Sequence, residues 1–472
     1  MNFSDDYASS NHDQFIDDKE LQNRINACKE YISSGHTFSF LEYIEETVQI
    51  CLENDETEDG LILVNAILDI TPYNSELWQF KGVFLNNLFD FETAYTCFTK
   101  AISLNPNDVE TLINKSIAED NLGYFDEAIE SLNKAITLEP YNEEALFSLG
   151  VLYERKEDFD SAIKLLNKSV ELDNEYGEAW YELGYCYESS NNFEMALNAY
   201  DNFLKIEPYS YTGWYNKGIV YLRLEKHLKA INCFELSIAL KDDFSSSWFN
   251  TGVSNSKLLK FPEALEAFKK ASELDPNDEA IYYNMGQIYE ELENTNSAIK
   301  CYSKAISIDT EYYEAFLARG YCYDAKGKYH LALKDFNKAI TLAHNPTEAW
   351  YAKADLEYSL GNLQESIDSY TKTVKLDPDN FFAWSKLAET YVETGNFLEA
   401  LEAFNKCLQL NPEHAGSYYG KAKLNFLLSR TKEAIDCLRT AFSLDPNIKV
   451  KFEHEYPEIK SSRLYNRLLN EK

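Results

Sequence analysis

The sequence predicts an all-α fold, a solenoid of stacked antiparallel helix pairs, on three observations. A 34-residue motif recurs in one uninterrupted phase. Each copy holds two runs of about 13 residues with apolar spacings of 3 and 4, the mark of an amphipathic helix. Glycine (17) and proline (11) are too scarce in 472 residues for a loop-rich or all-β chain.

The phase is visible by eye. FDEAIESLNKAITLEPYNEEALFSLG near residue 125 returns as FPEALEAFKKASELDPNDEAIYYNMG near 261. It returns again as FLEALEAFNKCLQLNPEHAGSYYGKA near 397. With Ser75 as position 1, eleven repeats follow without insertion or deletion, ending at Ile448. All six tryptophans fall at position 4: Trp78, Trp180, Trp214, Trp248, Trp350 and Trp384. Position 8 is always small, from Gly82 and Ser116 to Ala422, and position 20 is Ala in every repeat but one, which has Ser366. Position 24 is large, as in Phe98, Leu132, Tyr200, Phe268 and Tyr370. Position 32 is often Pro, as in Pro106, Pro276 and Pro412.

Each position has a physical reason. A 34-residue helix pair cannot bury its apolar face alone, so neighbours must stack. Small residues at 8 and 20 let two backbones approach, and aromatics at 4, 11 and 24 fill the remaining volume. Pro at 32 ends the second helix, because it disfavours helical geometry in the residue before it. Asn or Asp just after it, as in Asn107-Asp108 and Asn277-Asp278, caps the next helix. Position 11 departs from the pattern at Glu119, Asn255, Glu357 and Asn425, and position 27 does so at Phe203. Both departures imply local repacking that bends the stack.

These residues resemble the tetratricopeptide repeat family, whose pattern has Trp, Gly, Tyr, Ala, Phe, Ala and Pro at these spacings. The resemblance covers about four-fifths of the chain. It implies a right-handed superhelix with the first helices lining a concave groove. Residues 41–74 fit the same phase as a degenerate first repeat, with Gly60 where Ala belongs. Residues 1–40 read as an acidic segment, disordered over 1–16 and helical as a cap over 17–34. Residues 449–472 read as a capping helix with Ile459, Leu464 and Leu468 on one side.

Composition narrows the function. With 79 acidic and 44 basic side chains the net charge is −35. Nucleic acid and anionic membrane are therefore excluded as partners, since both are held by Lys and Arg clusters. The chain is too apolar (45%) and aromatic (14%) for an acidic disordered protein. No run approaches a membrane span, and no signal peptide is expected. Nine cysteines, an odd number without a CxxC pair, favour a reducing, cytoplasmic setting. Cys97, Cys233, Cys301 and Cys437 all sit at position 23, which marks them as packing residues rather than ligands. No histidine has metal-ligand spacing, and neither a phosphate loop nor a nucleophile elbow occurs. No catalytic residue, metal or cofactor is expected.

In the family geometry, positions 2, 5, 6, 9, 12 and 13 face the groove. Across eleven repeats they carry 16 acidic and 5 basic residues. Position 5 is frequently aromatic, and position 6 is Asn at Asn114, Asn216, Asn250 and Asn284. An amide can donate and accept, so it can hold the backbone of an extended peptide. The repeat arm of the protein O-GlcNAc transferases uses such an Asn ladder, and this stretch resembles a short version without a catalytic domain. The candidate site is Tyr181, Glu182, Tyr185, Tyr215, Asn216, Phe249, Asn250, Tyr283, Asn284 and Gln287. Glu at position 2 (Glu76, Glu144, Glu348) is read as offsetting the helix dipole. The carboxylate clamp with which some family members bind acidic chaperone tails needs Lys at positions 5 and 2 and Arg at 6. No repeat has these, so an acidic-tail ligand is not expected.

The leading expectation is a non-enzymatic scaffold for an extended, basic or neutral peptide. The alternatives are a regulatory or targeting subunit of a separately encoded enzyme, such as a glycosyltransferase, and a self-assembling structural protein.

Overall fold

The computed structural model of the protein describes residues 18–457. Among these are 26 α-helices, one short 3-10 turn and no strand. They form two units, Met1–Lys241 and Asp242–Lys472. Each is an all-α solenoid of stacked helix pairs. The expectations for residues 1–16 and for Ile459, Leu464 and Leu468 lie outside the described residues.

The first unit opens with the helix Asp18–Ser33, followed by the pair Leu41–Glu53 and Thr57–Leu68. Leu21, Ile25 and Cys28 of the opening helix are buried against Ile44, Val48 and Val64. Lys29–Asp59 and Arg24–Glu46 ion pairs, each 2.6 Å, tie the helix down at its rim. Five pairs follow, with first helices Ser75–Asn87, Val109–Asn121, Glu143–Arg155, Gly177–Ser189 and Tyr211–Arg223. The second unit has six pairs, with first helices Ser245–Lys257, Glu279–Glu291, Tyr313–Ala325, Thr347–Ser359, Phe381–Glu393 and Ala415–Leu427. It closes with the helix Pro446–Glu455, whose Ile448 and Phe452 cover Tyr419 and Leu438.

Helix ends follow from the sequence. The left-handed residue after each first helix falls at position 15: Gly123, Gly327, Gly361 and Gly395, but also Phe89, Glu157, Asn191, Glu225, Leu259, Glu293 and Ser429. The turn closes with bonds such as Asn192 N to the Tyr187 carbonyl, 2.8 Å, which satisfy the last carbonyls of the helix. At the start of the first helices the second member of each Asn/Asp pair is the cap. Asp108 accepts from Thr111 N at 3.3 Å, and Asp278 from Ala280 N at 2.8 Å. The tryptophans do more than fill space. Trp78, Trp214 and Trp384 donate Nε1–H to the carbonyls of Pro72, Pro208 and Pro378 at 2.9–3.0 Å, tying positions 4 and 32 of successive repeats.

Position 8 is small because the ring at position 24 lies on it. A Cβ added to Gly184 would stand 2.6 Å from Tyr200, and one added to Gly252 would stand 2.8 Å from Phe268. Gly60 has its own cause: a Cβ there would collide with the ring of Phe84, the bulkiest residue at position 10 in the chain. Phe203 at position 27 is matched by Gly213, where a Cβ would come within 2.5 Å of its ring.

The polar residues at position 11 are buried by partners rather than by repacked hydrocarbon. Glu119 is ion-paired with Lys115 one turn earlier and accepts from Ser131 Oγ at 2.7 Å. Glu357 repeats the arrangement with Lys353 at 3.7 Å and Ser369 at 2.8 Å. Positions 7, 11 and 23 thus form one interchangeable set.

Candidate functional site

The first helices leave positions 2, 5, 6, 9, 12 and 13 exposed or half-buried in most repeats, because the second helices pack on their other side; Gln79, Ile113, Leu317 and Ala352 are buried. Most position 5 aromatics are half-buried, with the ring against the position 24 ring of the same repeat; Phe147, whose repeat has Leu166 there, lies on Tyr176 instead. Tyr215 stands 5.8 Å from Phe234, Phe249 5.6 Å from Phe268, and Tyr351 5.8 Å from Tyr370. Tyr419 is an exception. It is covered by the closing helix and donates to Glu455 at 2.7 Å, so it is not part of an open face.

In the first unit the structure brings together Tyr181, Glu182, Tyr185, Tyr215 and Asn216. Asn216 Nδ2 donates to Tyr181 Oη at 2.8 Å, linking adjacent repeats. Tyr181 packs on Phe203 at 5.1 Å, and Tyr185 is 43% exposed. Burial, aided by the neighbouring Glu154 carboxyl, pushes the Glu182 carboxyl up to about 9. Glu154 is raised as well, so the two carboxyls together hold a proton more tightly than free acids do. Other acids of this face are tied to arginines of the next repeat: Asp120 to Arg155, and Glu188 to Arg223 at 3.5 Å.

In the second unit Phe249, Asn250, Tyr283, Asn284 and Gln287 lie on the first two first helices. Asn250 Nδ2 donates to the Ser246 carbonyl at 3.0 Å, and Asn284 Nδ2 to the Ala280 carbonyl at 2.8 Å. Gln287 Nε2 donates to Tyr283 Oη at 3.2 Å, and Tyr283 packs on Tyr312 at 5.1 Å. The amides thus do not form identical rungs. Asn216 bridges two repeats, whereas Asn284 bonds to its own helix.

The outward acids cluster in two stretches, one over 110–188 and one over 279–393. From Glu279 to Glu393, the outward positions of four consecutive repeats hold Glu290, Glu291, Glu314, Asp324, Glu348, Asp355, Glu389 and Glu393 against Lys386 alone. Glu290 accepts from the Tyr302 hydroxyl, Asp355 from Tyr370 and Glu393 from Tyr358, none of which brings positive charge. A cleft of about 630 Å³ opens there between the starts of Thr347–Ser359 and Phe381–Glu393. Two departures from the repeat signal it: Pro346 stands at position 34 instead of 32, and Phe382 occupies position 2.

All nine thiols are free, and eight are buried. Burial pushes Cys51 up to about 12 and Cys233 up to about 11, which makes them poor nucleophiles. Among the described residues no group of His, Cys, Asp or Glu has metal-holding geometry, and no helix is long and apolar enough to cross a membrane.

Sequence models of the tetratricopeptide repeat match residues 75–108, 121–157, 143–176, 177–210, 211–244, 260–293, 280–312 and 317–381. A model of the anaphase-promoting complex, cyclosome, subunit 3 matches 371–441. A TPR repeat-containing protein of Methanocaldococcus jannaschii is 29% identical over 76 residues, 16% of this chain and 22% of the relative. The match thus spans about a fifth of that relative's length. Among solved structures, a chain of the APC/C hetero-tetramer Cut9-Hcn1 is 16% identical, covering 93% of this chain and 98% of its own at a TM-score of 0.37. Yeast Tom70 is 17% identical over 88% and 99%, with a TM-score of 0.39. MamA is 27% identical over 34% and 94%, with a TM-score of 0.32. The 34-residue period, the helix pairs that follow it and the repeat models matched along most of its length make the chain a member of the tetratricopeptide repeat proteins.

Proposed function

We propose that the protein is a non-enzymatic scaffold, in a reducing, cytoplasmic setting, that holds an extended peptide segment of a protein partner against the outward faces of its first helices. The observation that carries this reading is the succession of first helices presenting half-buried aromatics, amides and acids at fixed positions. Such aromatics give rigid contact area at low entropic cost. A first-helix spacing of one repeat suits an extended chain, which advances about 3.3 Å per residue. Tyr181, Asn216 and Tyr215 would serve the segment in the first unit, and Phe249, Asn250, Tyr283, Asn284 and Gln287 in the second. The ladder is of mixed kind. Asn284 uses a donor internally, which turns its amide oxygen toward accepting from a peptide N–H.

The partner segment is basic or neutral, since acidic residues outnumber basic ones 16 to 5 on the exposed face. The test uses two random dodecapeptide pools, one with net charge +4 and one with −4, titrated against the full chain by fluorescence anisotropy. The basic pool should bind, and its affinity should fall as salt rises from about 0.05 to 0.5 M. Replacing Asn216, Asn250 and Asn284 together with Ala should weaken it severalfold without lowering the melting temperature. Binding of the acidic pool alone, or affinity indifferent to salt, would sink the reading.

A further inference from the structure

The cleft in the second unit has a chemistry of its own. Its walls hold two carboxyl groups, Glu348 and Asp377, two aromatic rings, Tyr351 and Phe382, and the apolar side chain of Leu376. No basic residue lines it. Its volume of about 630 Å³ falls in the range of ligand pockets, roughly 300–1,000 Å³. Phe382 is 71% exposed and Leu376 48%, so both present bare hydrocarbon at the rim.

Folding explains Tyr351, which packs on Tyr370. It explains part of Asp377, whose Oδ1 accepts from Asp379 N at 3.3 Å in a turn. It does not explain Phe382. Most other repeats carry Glu or a small residue at that position, and Phe382 touches only the edge of its neighbour Phe381, at 5.7 Å. Glu348 is exposed, and no ion pair holds it among the described residues.

Carboxylates beside aromatic faces, with an apolar wall, define a receptor for a flat cation. An alkyl group would leave the carboxylates without a partner, and an anion would be repelled. A guanidinium can stack on a ring, accept the field of its π face and bond a carboxylate through two N–H groups at once. Its alkyl stem would lie along Leu376 and Phe382. Glu314 on the preceding first helix, and Asp355 and Glu389 farther along the cleft's own two helices, extend the negative field.

We propose that the cleft between the starts of Thr347–Ser359 and Phe381–Glu393 is the seat for an arginine side chain of the bound segment, held by Glu348 and Asp377 against Phe382 and Tyr351. The inference rests on the scaffold reading and adds the one residue type that the segment must present.

The probe is a fluorescein-labelled octapeptide of alternating glycine and arginine, with lysine and citrulline counterparts. Affinities are measured by anisotropy on the full chain at about 0.1 M salt. The arginine peptide should bind most tightly, the lysine peptide severalfold more weakly, and the citrulline peptide beyond the measurable range. The double variant Glu348→Gln, Phe382→Ala should weaken the arginine peptide about tenfold or more. A charge control, Glu92→Gln with Asp126→Asn on the exposed sides of second helices, should change it less than twofold. Both sites tolerate the change, since Glu348, Phe382, Glu92 and Asp126 are exposed, and melting curves check this. Equal losses in the two variants would show attraction to net charge alone and overturn the seat while leaving the scaffold reading intact. Citrulline binding as tightly as arginine would overturn the seat as well. Failure of all three peptides, joined to failure of the basic pool, would overturn both.

Discussion

Replacing Glu119 by Ala tests whether position 11 tolerates charge only as part of a set. Glu119 is 1% exposed and Lys115 16%, so the pair lies out of water. Ser131 Oγ donates to Glu119 at 2.7 Å and accepts from Lys115 Nζ at 3.2 Å. The Tyr95 ring lies 5.3 Å beneath the ammonium. Removing the carboxylate leaves a buried ammonium with a hydroxyl and a ring as its remaining contacts. Breaking such a pair costs about 3–5 kcal/mol, far more than the pair itself contributes. A solenoid does not unfold in one step, so the loss should be read locally. Hydrogen exchange over Val109–Asn121 and Phe125–Leu138 should lose about 10²-fold in protection or more, while exchange beyond Ser245 should stay unchanged. The repeats themselves supply the rescue. Where position 7 is Leu149 or Leu183, position 11 is Tyr153 or Tyr187, and position 23 is Leu165 or Ala199. The triple variant Lys115→Leu, Glu119→Tyr, Ser131→Ala installs that apolar set and should restore protection to within about 1 kcal/mol of the parent or exceed it. A single variant that loses less than about 0.5 kcal/mol, or a triple variant as weak as the single, would refute the idea of an interchangeable set.

Two further predictions concern other departures from the repeat. Gly60→Ala restores the residue usual at position 20, yet it should destabilise the first repeats by about 1–3 kcal/mol, because the new methyl meets Phe84. Adding Phe84→Leu should recover most of that in a urea titration, and a neutral single variant would contradict the packing argument. Glu182 holds its proton in the folded chain up to about pH 9 but loses it near 4.5 when unfolded. Between those values the native state binds the extra proton, so this group's contribution to stability falls as pH rises. Glu182→Gln should therefore gain melting temperature over the parent progressively from pH 5 to pH 9, and a constant difference would refute the burial of that carboxyl.

The period, the helix pairs and the second-helix ends at position 32 were legible because each depends on one side chain in one place. A small residue at 8 and a ring at 24 can be read separately. What was not legible depends on pairs. Glu119 reads as a flaw until Lys115 and Ser131 are seen beside it. Gly60 reads as decay until Phe84 fills its space, and Phe203 reads as a bend until Gly213 makes room. The same limit applied to the candidate face. A sequence assigns Glu182 and Glu154 a full charge each, whereas burial makes the two together hold a proton more tightly. It cannot show that Asn216 reaches Tyr181 while Asn284 bonds its own helix. The cleft at Phe382 had a trace, the displaced Pro346, but its meaning required the walls around it.

The net charge of −35 is the sum of acids that do different work, and the two units divide that work unequally. In the first unit, position 12 acids meet position 13 arginines of the next repeat, as Asp120 meets Arg155 and Glu188 meets Arg223. These pairs hold successive repeats in register and cancel much of the field they would otherwise project. Glu76, Glu110, Glu144, Glu154 and Glu178 of the same unit form no ion pair among the described residues. In the second unit the position 12 acid Glu290 accepts from the Tyr302 hydroxyl instead, and the position 9 acid Asp355 from Tyr370. A hydroxyl satisfies the lone pairs of a carboxylate without neutralising it, so the charge stays available to a ligand. On the proposed reading, both units therefore offer uncompensated acids to a basic segment.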